Sequence, residues 1–232
     1  MNFEAIKAIY YFEMARTGRT LRMLSVGCGN CDNEVRIAKL LLERGCADWT
    51  LVCLDLTAPM LDRGRELATA EGVVDRFEFV AADLANWRTD ERFDVVIANQ
   101  CLHHIFELER VFERISEIMA PQGVFLTSDM IGRNGHMRWP EARELIDRFW
   151  DELPKAYRYH RLLRRQENRF QDWDCSITGF EGIRAQDILP SSLAKTLISV
   201  VRGNESALAK GALIVVDEAR ARVRILPLER NS

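Results

Sequence analysis

Apolar residues follow two alternating rhythms from about residue 20 onward. Short, nearly continuous apolar runs at 21–26, 50–54, 77–80, 93–98 and 124–128 read as buried strands. Between them, 34–44, 60–70 and 108–119 carry apolar residues at helical spacing, and the last of these helices is expected to end at "APQG". A further amphipathic helix is expected over 2–17, where Phe3, Ile6, Ala8, Ile9 and Phe12 share one face. Strand and helix in alternation predict an α/β fold: a doubly wound, mostly parallel, Rossmann-like sheet covered on both faces. Crossovers should be right-handed, and a ligand should lie beyond the carboxyl ends of the strands.

The rhythm breaks at Ile131. From there to about 185 the chain is rich in aromatic residues and arginine and reads as two or three helical pieces broken at Pro140 and Pro154. We read 131–185 as a helical lid inserted over the carboxyl edge, between a core of residues 1–130 and a closing segment, 186–232. In that last segment, strands at 196–201 and 212–216, joined by the polar loop "RGNESALAKG", predict an antiparallel hairpin. The tail "RILPLERNS" carries no signal, and no repeat is present.

A net charge of −3 provides no general attraction to nucleic acid or anionic membrane. The amino terminus, with an early Glu4 and no continuous apolar run, resembles neither a signal peptide nor a membrane span. The six cysteines, at 28, 31, 46, 53, 101 and 175, read as reduced thiols of a cytoplasmic protein. "CGNC" has metal-like spacing but no second Cys/His pair, so Cys28 and Cys31 read as small residues in a tight turn and no metal is expected. Nothing specifies an oligomeric state.

The first strand runs into the glycine turn Gly27-Cys28-Gly29-Asn30-Cys31-Asp32. A dinucleotide fingerprint needs a third glycine where Asp32 stands, and an acid at a helix N-terminus repels pyrophosphate. No Walker lysine follows. The turn therefore suits a cofactor without phosphates. "LSVGCGNC", followed in order by "LVCLDLTAPML", "FVAADLANW" and "FDVVIANQCLHHI", resembles the successive motifs of class I S-adenosylmethionine-dependent methyltransferases. The resemblance extends from Leu21 to about Asp129, roughly half the chain.

Gly27 and Gly29 allow close backbone approach to the methionine part of such a cofactor. Asp55, with Leu56 beside it, ends the second strand, where a carboxylate can accept both ribose hydroxyls. Its alternative is an acid at a helix start, where Thr57 is the better cap. By the resemblance, Asp83 takes the adenine amino group with Leu84 near the ring, and Asn99 and Gln100 line the sulfonium region. Capping of "LANW" is the alternative for Asp83. The chain departs from the family at Ser25, where an acid is usual, and at Cys31, where a third glycine is usual. Ser25 can still hydrogen-bond the cofactor's amino or carboxylate end, and a turn with positive φ at Cys31 would be strained.

The resemblance implies methyl transfer to an O-, N- or C-nucleophile with S-adenosylhomocysteine as product, largely a matter of positioning. His104 is the candidate base and His103 its orienter, unless "LHH" serves only to pack a helix start. His136 and His160 are secondary candidates. For the acceptor, His136, Trp139, Tyr157 and Trp173 head a set of lid residues suited to an apolar pocket. Arg158, Arg161 and Arg165 fall at helical spacing, as a solvated face or an anion-binding stripe. Asp172 and Asp174 lack the further oxygen ligands a metal needs. A small-molecule acceptor leads. Nucleic acid is disfavoured by the acidity and by Asn99-Gln100-Cys101-Leu102 standing where base-amino methyltransferases carry N/D-P-P-Y. A non-catalytic cofactor-binding module is the third reading.

Overall fold

The structure is a computed structural model that describes residues 18, 20–161 and 163–194 and the strands at 200–203, 212–217 and 222–227. The helix expected over 2–17, and residues 196–199 of a predicted strand, lie outside the described residues.

Five parallel strands carry the site: β1 (Leu21–Val26), β2 (Trp49–Asp55), β3 (Phe77–Ala81), β4 (Phe93–Asn99) and β5 (Met119–Asp129). Their spatial order is β3-β2-β1-β4-β5. The helices are α1 (Asp32–Glu43), α2 (Ala58–Ala70), α3 (Leu108–Ile118), α4 (Pro140–Trp150) and α5 (Ile188–Ala194). Alternating strand residues face opposite sides. Leu21, Met23, Leu51 and Cys53 pack with Val35, Ile37, Leu41 and Leu61 of α1 and α2. Leu24, Val26, Val52 and Leu54 pack with Val111, Phe112 and Ile115 of α3 and Ile188 of α5. Apolar burial on both faces explains why the strands read as continuous runs.

β1 lies between β2 and β4, so the chain leaves it in opposite directions and opens a crevice at the carboxyl ends. β5 starts directly after α3, which places "APQG" inside a strand and corrects the expectation that it ends the helix. The register with β4 shifts between Phe93 and Val95, and Pro121, which has no N–H to donate, falls in that irregular stretch. Beyond β5 the sheet continues with β8 (Val200–Gly203) parallel to it, then β9 (Ala212–Asp217) and β10 (Arg222–Pro227), each antiparallel to its neighbour. The antiparallel closure is as predicted. β10, however, includes Arg224–Pro227, the first four residues of the tail "RILPLERNS", which carries no strand signal in the sequence.

Between β5 and α5 the chain forms α4, single 3₁₀ turns at Asn134–His136 and Lys155–Arg158, and a two-residue pairing of β6 (Tyr159–His160) with β7 (Arg165–Gln166). Pro140 and Pro154 start helical pieces, as a residue with fixed φ and no donor should. The hairpin removes the predicted helical stripe of Arg158, Arg161 and Arg165, because His160 pairs with Arg165 across a turn. Both ends of this segment are tied together. Gly135 N–H donates to the Gly182 carbonyl (2.8 Å), and Ile183 N–H to the His103 carbonyl (3.0 Å). The Arg184 guanidinium holds both oxygens of Glu109 on α3 at 2.6 Å.

Candidate active site

The turn after β1 has left-handed backbone at three positions: Gly27 (φ 61°), Gly29 (φ 56°) and Cys31 (φ 60°). A Cβ at Gly27 would lie 2.6 Å from that of Cys101, so the β1 and β4 loops can meet only over a glycine. A Cβ at Gly29 would meet nothing within 4 Å and would point into open space. Cys31 takes the strained conformation that its place in the turn demands.

Gly27, Gly29, Asp55, Leu56, Asp83, Leu84, Gln100, Cys101 and His104 line one cleft of about 660 Å³ at the carboxyl edge. That volume is within the usual range for small-molecule sites. The Asp55 carboxylate accepts the Gly29 N–H (2.9 Å) through Oδ2 and the Thr57 N–H (2.9 Å) through Oδ1. Each oxygen keeps a second lone pair. Asp55 thus pins the glycine turn and starts α2, while Thr57, the N-cap residue, makes no side-chain cap. Asp83 accepts the Ala85 N–H (3.1 Å) and the Asn86 amide (2.5 Å), so it braces its own loop as well as facing the cleft.

Two expected cofactor contacts lie elsewhere. Ser25 is buried and donates through Oγ to the equally buried Glu34 of α1 at 2.8 Å, beneath the turn rather than in the cleft. At the end of β4 it is Gln100, with φ 53°, and not Asn99 that lines the cleft.

The histidine loop after β4 is built on Asp129, the last residue of β5. This fully buried carboxylate accepts the N–H groups of Cys101 (3.0 Å) and Leu102 (2.7 Å) on one oxygen, and that of Met130 (2.8 Å) and His103 Nδ1 (2.5 Å) on the other. A carboxylate here can only accept, so Nδ1 of His103 carries a proton. Burial alone would lower the His103 pKa. The hydrogen bond and charge of Asp129, with Glu181 behind, outweigh burial and raise it. His104 is half exposed, and its Nδ1 donates to the Phe180 carbonyl at 2.7 Å. In the neutral ring Nε2 then holds the lone pair. His104 is therefore oriented by a lid carbonyl, and His103 touches it only ring to ring, with centroids 3.9 Å apart.

Glu181 is the centre of a cluster that nothing in the sequence suggested. Its carboxylate lies 3.0 Å from His136 Nε2, 3.4 Å from His103 Nε2 and 3.5 Å from His104 Nδ1. Partial burial would raise its pKa, but these three imidazoles bring it below the ordinary value. Asp129 had a signal of a kind, since it ends a strand as Asp55 does. Glu181 had none.

A second cavity, of about 420 Å³, lies within the inserted segment. His136, Tyr157, His160 and Trp173 line it with Trp150 and Phe170, whereas Trp139, at the N-cap of α4, lies outside it. Trp150 Nε1 and Arg158 Nε, from two of its lining residues, are buried donors without a partner in the protein. Beneath the glycine turn, the thiols of Cys28, Cys31 and Cys53 lie within 4.8 Å of one another. The neighbouring Cys28 and Cys53 thiols lower the Cys31 pKa below that of an ordinary thiol.

A profile of the methyltransferase domain matches residues 18–178. The chain is 26% identical over 136 residues to a sterol 4-C-methyltransferase of Caenorhabditis elegans, covering 57% of this chain and 39% of that one. It is 28% identical over 107 residues to a tRNA 5-carboxymethoxyuridine methyltransferase of Escherichia coli, covering 45% and 38%. The chain thus spans about two fifths of the length of either relative. Among solved structures, the CMeT domain of the citrinin polyketide synthase aligns with a TM-score of 0.49 at 20% identity, over 56% of this chain and 35% of that domain's chain.

Proposed function

The chain belongs to the methyltransferase-domain family, and from that premise we propose that it binds S-adenosylmethionine in the cleft at the carboxyl edge and transfers the methyl group to a small-molecule acceptor. The observation that carries this reading is the convergence of Gly27, Gly29, Asp55, Leu56, Asp83 and Leu84, from three separate loops, on one cleft with open space above Gly29. In this reading the glycine turn receives the methionine end, Asp55 the ribose hydroxyls, and Asp83 with Leu84 the adenine. Gln100 and Cys101 face the sulfonium. S-adenosylhomocysteine leaves as product.

The acceptor enters from the segment 131–185, which acts as a lid. His136, Tyr157 and Trp173 supply its cavity with a mixed apolar and polar wall. His104 Nε2 takes the proton where the nucleophile must lose one, its Nδ1 being held by Phe180. Six cysteines without a disulfide support a reducing, cytoplasmic setting. Among the described residues no helix is long and apolar enough to cross a membrane.

Calorimetry with S-adenosylhomocysteine and NAD, followed by an acceptor screen with labelled cofactor, tests the reading. Binding of the first ligand only, and label on a small molecule, supports it. Label on tRNA replaces the acceptor class. Tighter binding of NAD overturns the cofactor.

A further inference from the structure

We propose that His103, His136 and Glu181 form a binding site for a divalent first-row transition-metal ion. The three ligands come from three distant loops: the turn after β4, the 3₁₀ turn after β5, and the end of the inserted segment. One ligand atom from each lies within 4.8 Å of the others. Nitrogen and oxygen donors bind such ions at about 2.1 Å, so two donors on one ion stand about 3.0 Å apart in an octahedron and about 3.4 Å apart in a tetrahedron. Glu181 Oε1 lies 3.0 Å from His136 Nε2 and 3.4 Å from His103 Nε2. These are coordination-sphere spacings. Two imidazoles and a carboxylate, with positions left open, are the donor set that zinc and iron(II) sites use.

The surroundings have the features of a metal site. His103 gives its Nδ1 proton to Asp129, which aims Nε2 at Glu181 and fixes the ring, as outer carboxylates do for metal-bound histidines. In the neutral ring, the Nε2 lone pair faces a carboxylate oxygen, an arrangement that calls for a cation between them. His136 is held with φ 56°, an uncommon conformation for a residue with a side chain and one that needs support from its neighbours. That support comes from Gly182, where a Cβ would lie 3.0 Å from His136 Cε1 and from its backbone nitrogen. The backbone at 135, 136 and 182 is shaped to bring this imidazole to Glu181.

The site lies between the two cavities. His104, next to His103, lines the cofactor cleft, and His136 lines the cavity in the inserted segment. On the methyl-transfer reading this is where an acceptor oxygen would meet the cofactor, but binding of the ion does not depend on that reading. The competing occupant is a proton on His103 Nε2, which would make the cluster an imidazolium between two carboxylates.

The full chain, stripped with chelator and titrated with Co(II) by calorimetry and visible absorption in the absence of cofactor and acceptor, decides between them. We expect one equivalent bound with Kd of about 1 µM or lower, and weak d–d bands without intense thiolate charge transfer. Glu181→Gln and His136→Ala should each weaken binding about 100-fold or more, and Asp129→Asn about 10- to 100-fold. Glu181→Gln is nearly isosteric and half exposed, so it decides the matter if His136→Ala does not fold. Absence of saturable binding, affinity unchanged in Glu181→Gln, or charge-transfer bands that vanish in Cys28→Ser would each overturn the proposal.

Discussion

His104 Nδ1 lies 2.7 Å from the carbonyl oxygen of Phe180, a contact between the loop after β4 and the far end of the inserted segment. The carbonyl fixes which nitrogen carries the proton and leaves Nε2 free to accept another. If this nitrogen takes the acceptor's proton, His104→Ala should lower turnover about 10²- to 10⁴-fold. Affinity for S-adenosylhomocysteine should stay near wild type. Turnover and calorimetry on the same preparation test this, and near-wild-type turnover on the true acceptor would leave the transfer to positioning alone.

Asp55 holds the glycine turn through the Gly29 N–H and, in the proposed complex, the ribose. Asp55→Ala removes charged hydrogen bonds of about 2–4 kcal/mol in total, a loss of roughly 30- to 1,000-fold in cofactor affinity. Unchanged affinity by calorimetry would remove the ribose assignment.

The two turn glycines should fail differently. Gly27→Ala drives a Cβ to 2.6 Å from Cys101 in left-handed backbone, and should cost about 2–4 kcal/mol of stability. Gly29→Ala meets no protein atom, so its stability cost should be only the conformational one, about 1 kcal/mol. Its methyl would intrude where the cofactor lies, so affinity should fall more than stability does. Urea unfolding beside calorimetry separates the two, and equal profiles for both variants would contradict the placement of the cleft above Gly29.

The Arg184 guanidinium holds the Glu109 carboxyl down at about 2, so the folded value lies below the unfolded one. The pair's contribution is therefore complete above the ordinary carboxyl pKa and fades as pH falls toward 2. Glu109 is largely exposed, and the contribution should stay below about 1 kcal/mol. Urea midpoints of wild type and Glu109→Gln should differ near pH 6, begin to approach each other below about pH 4.5 and meet only near pH 2. A gap that widens on acidification would reverse the assignment.

The inserted segment is anchored at both ends, whereas α4 buries none of its residues. Its interior should exchange amide protons faster than the sheet and slow when cofactor and acceptor are added. Mass-spectrometric exchange over residues 140–175, with and without ligands, checks this. Equal protection in both states would make the segment a fixed packing element.

Local pattern was enough to determine the sheet that carries the site. Runs such as "LVCL" and "VVIA" are buried on both faces, and a stretch of strand covered twice is apolar on both, so composition marks it. Gly27, Gly29, Asp55 and Asp83 were legible for a related reason: each sits where a strand ends and the backbone must turn, and the turn limits which residues fit. The inserted segment had no such rule. There Arg158 and Arg165 kept a helical spacing while the chain formed a short hairpin, because a pattern of exposed charge fixes no backbone. Only the tertiary structure turned Ser25 inward to Glu34, put Asp129 behind His103 and brought Glu181 to three histidines. The Asp129 and Glu181 pairings join segments far apart in sequence, and their energy comes from burial and charge at the place where those segments meet. No window of neighbouring residues contains that information.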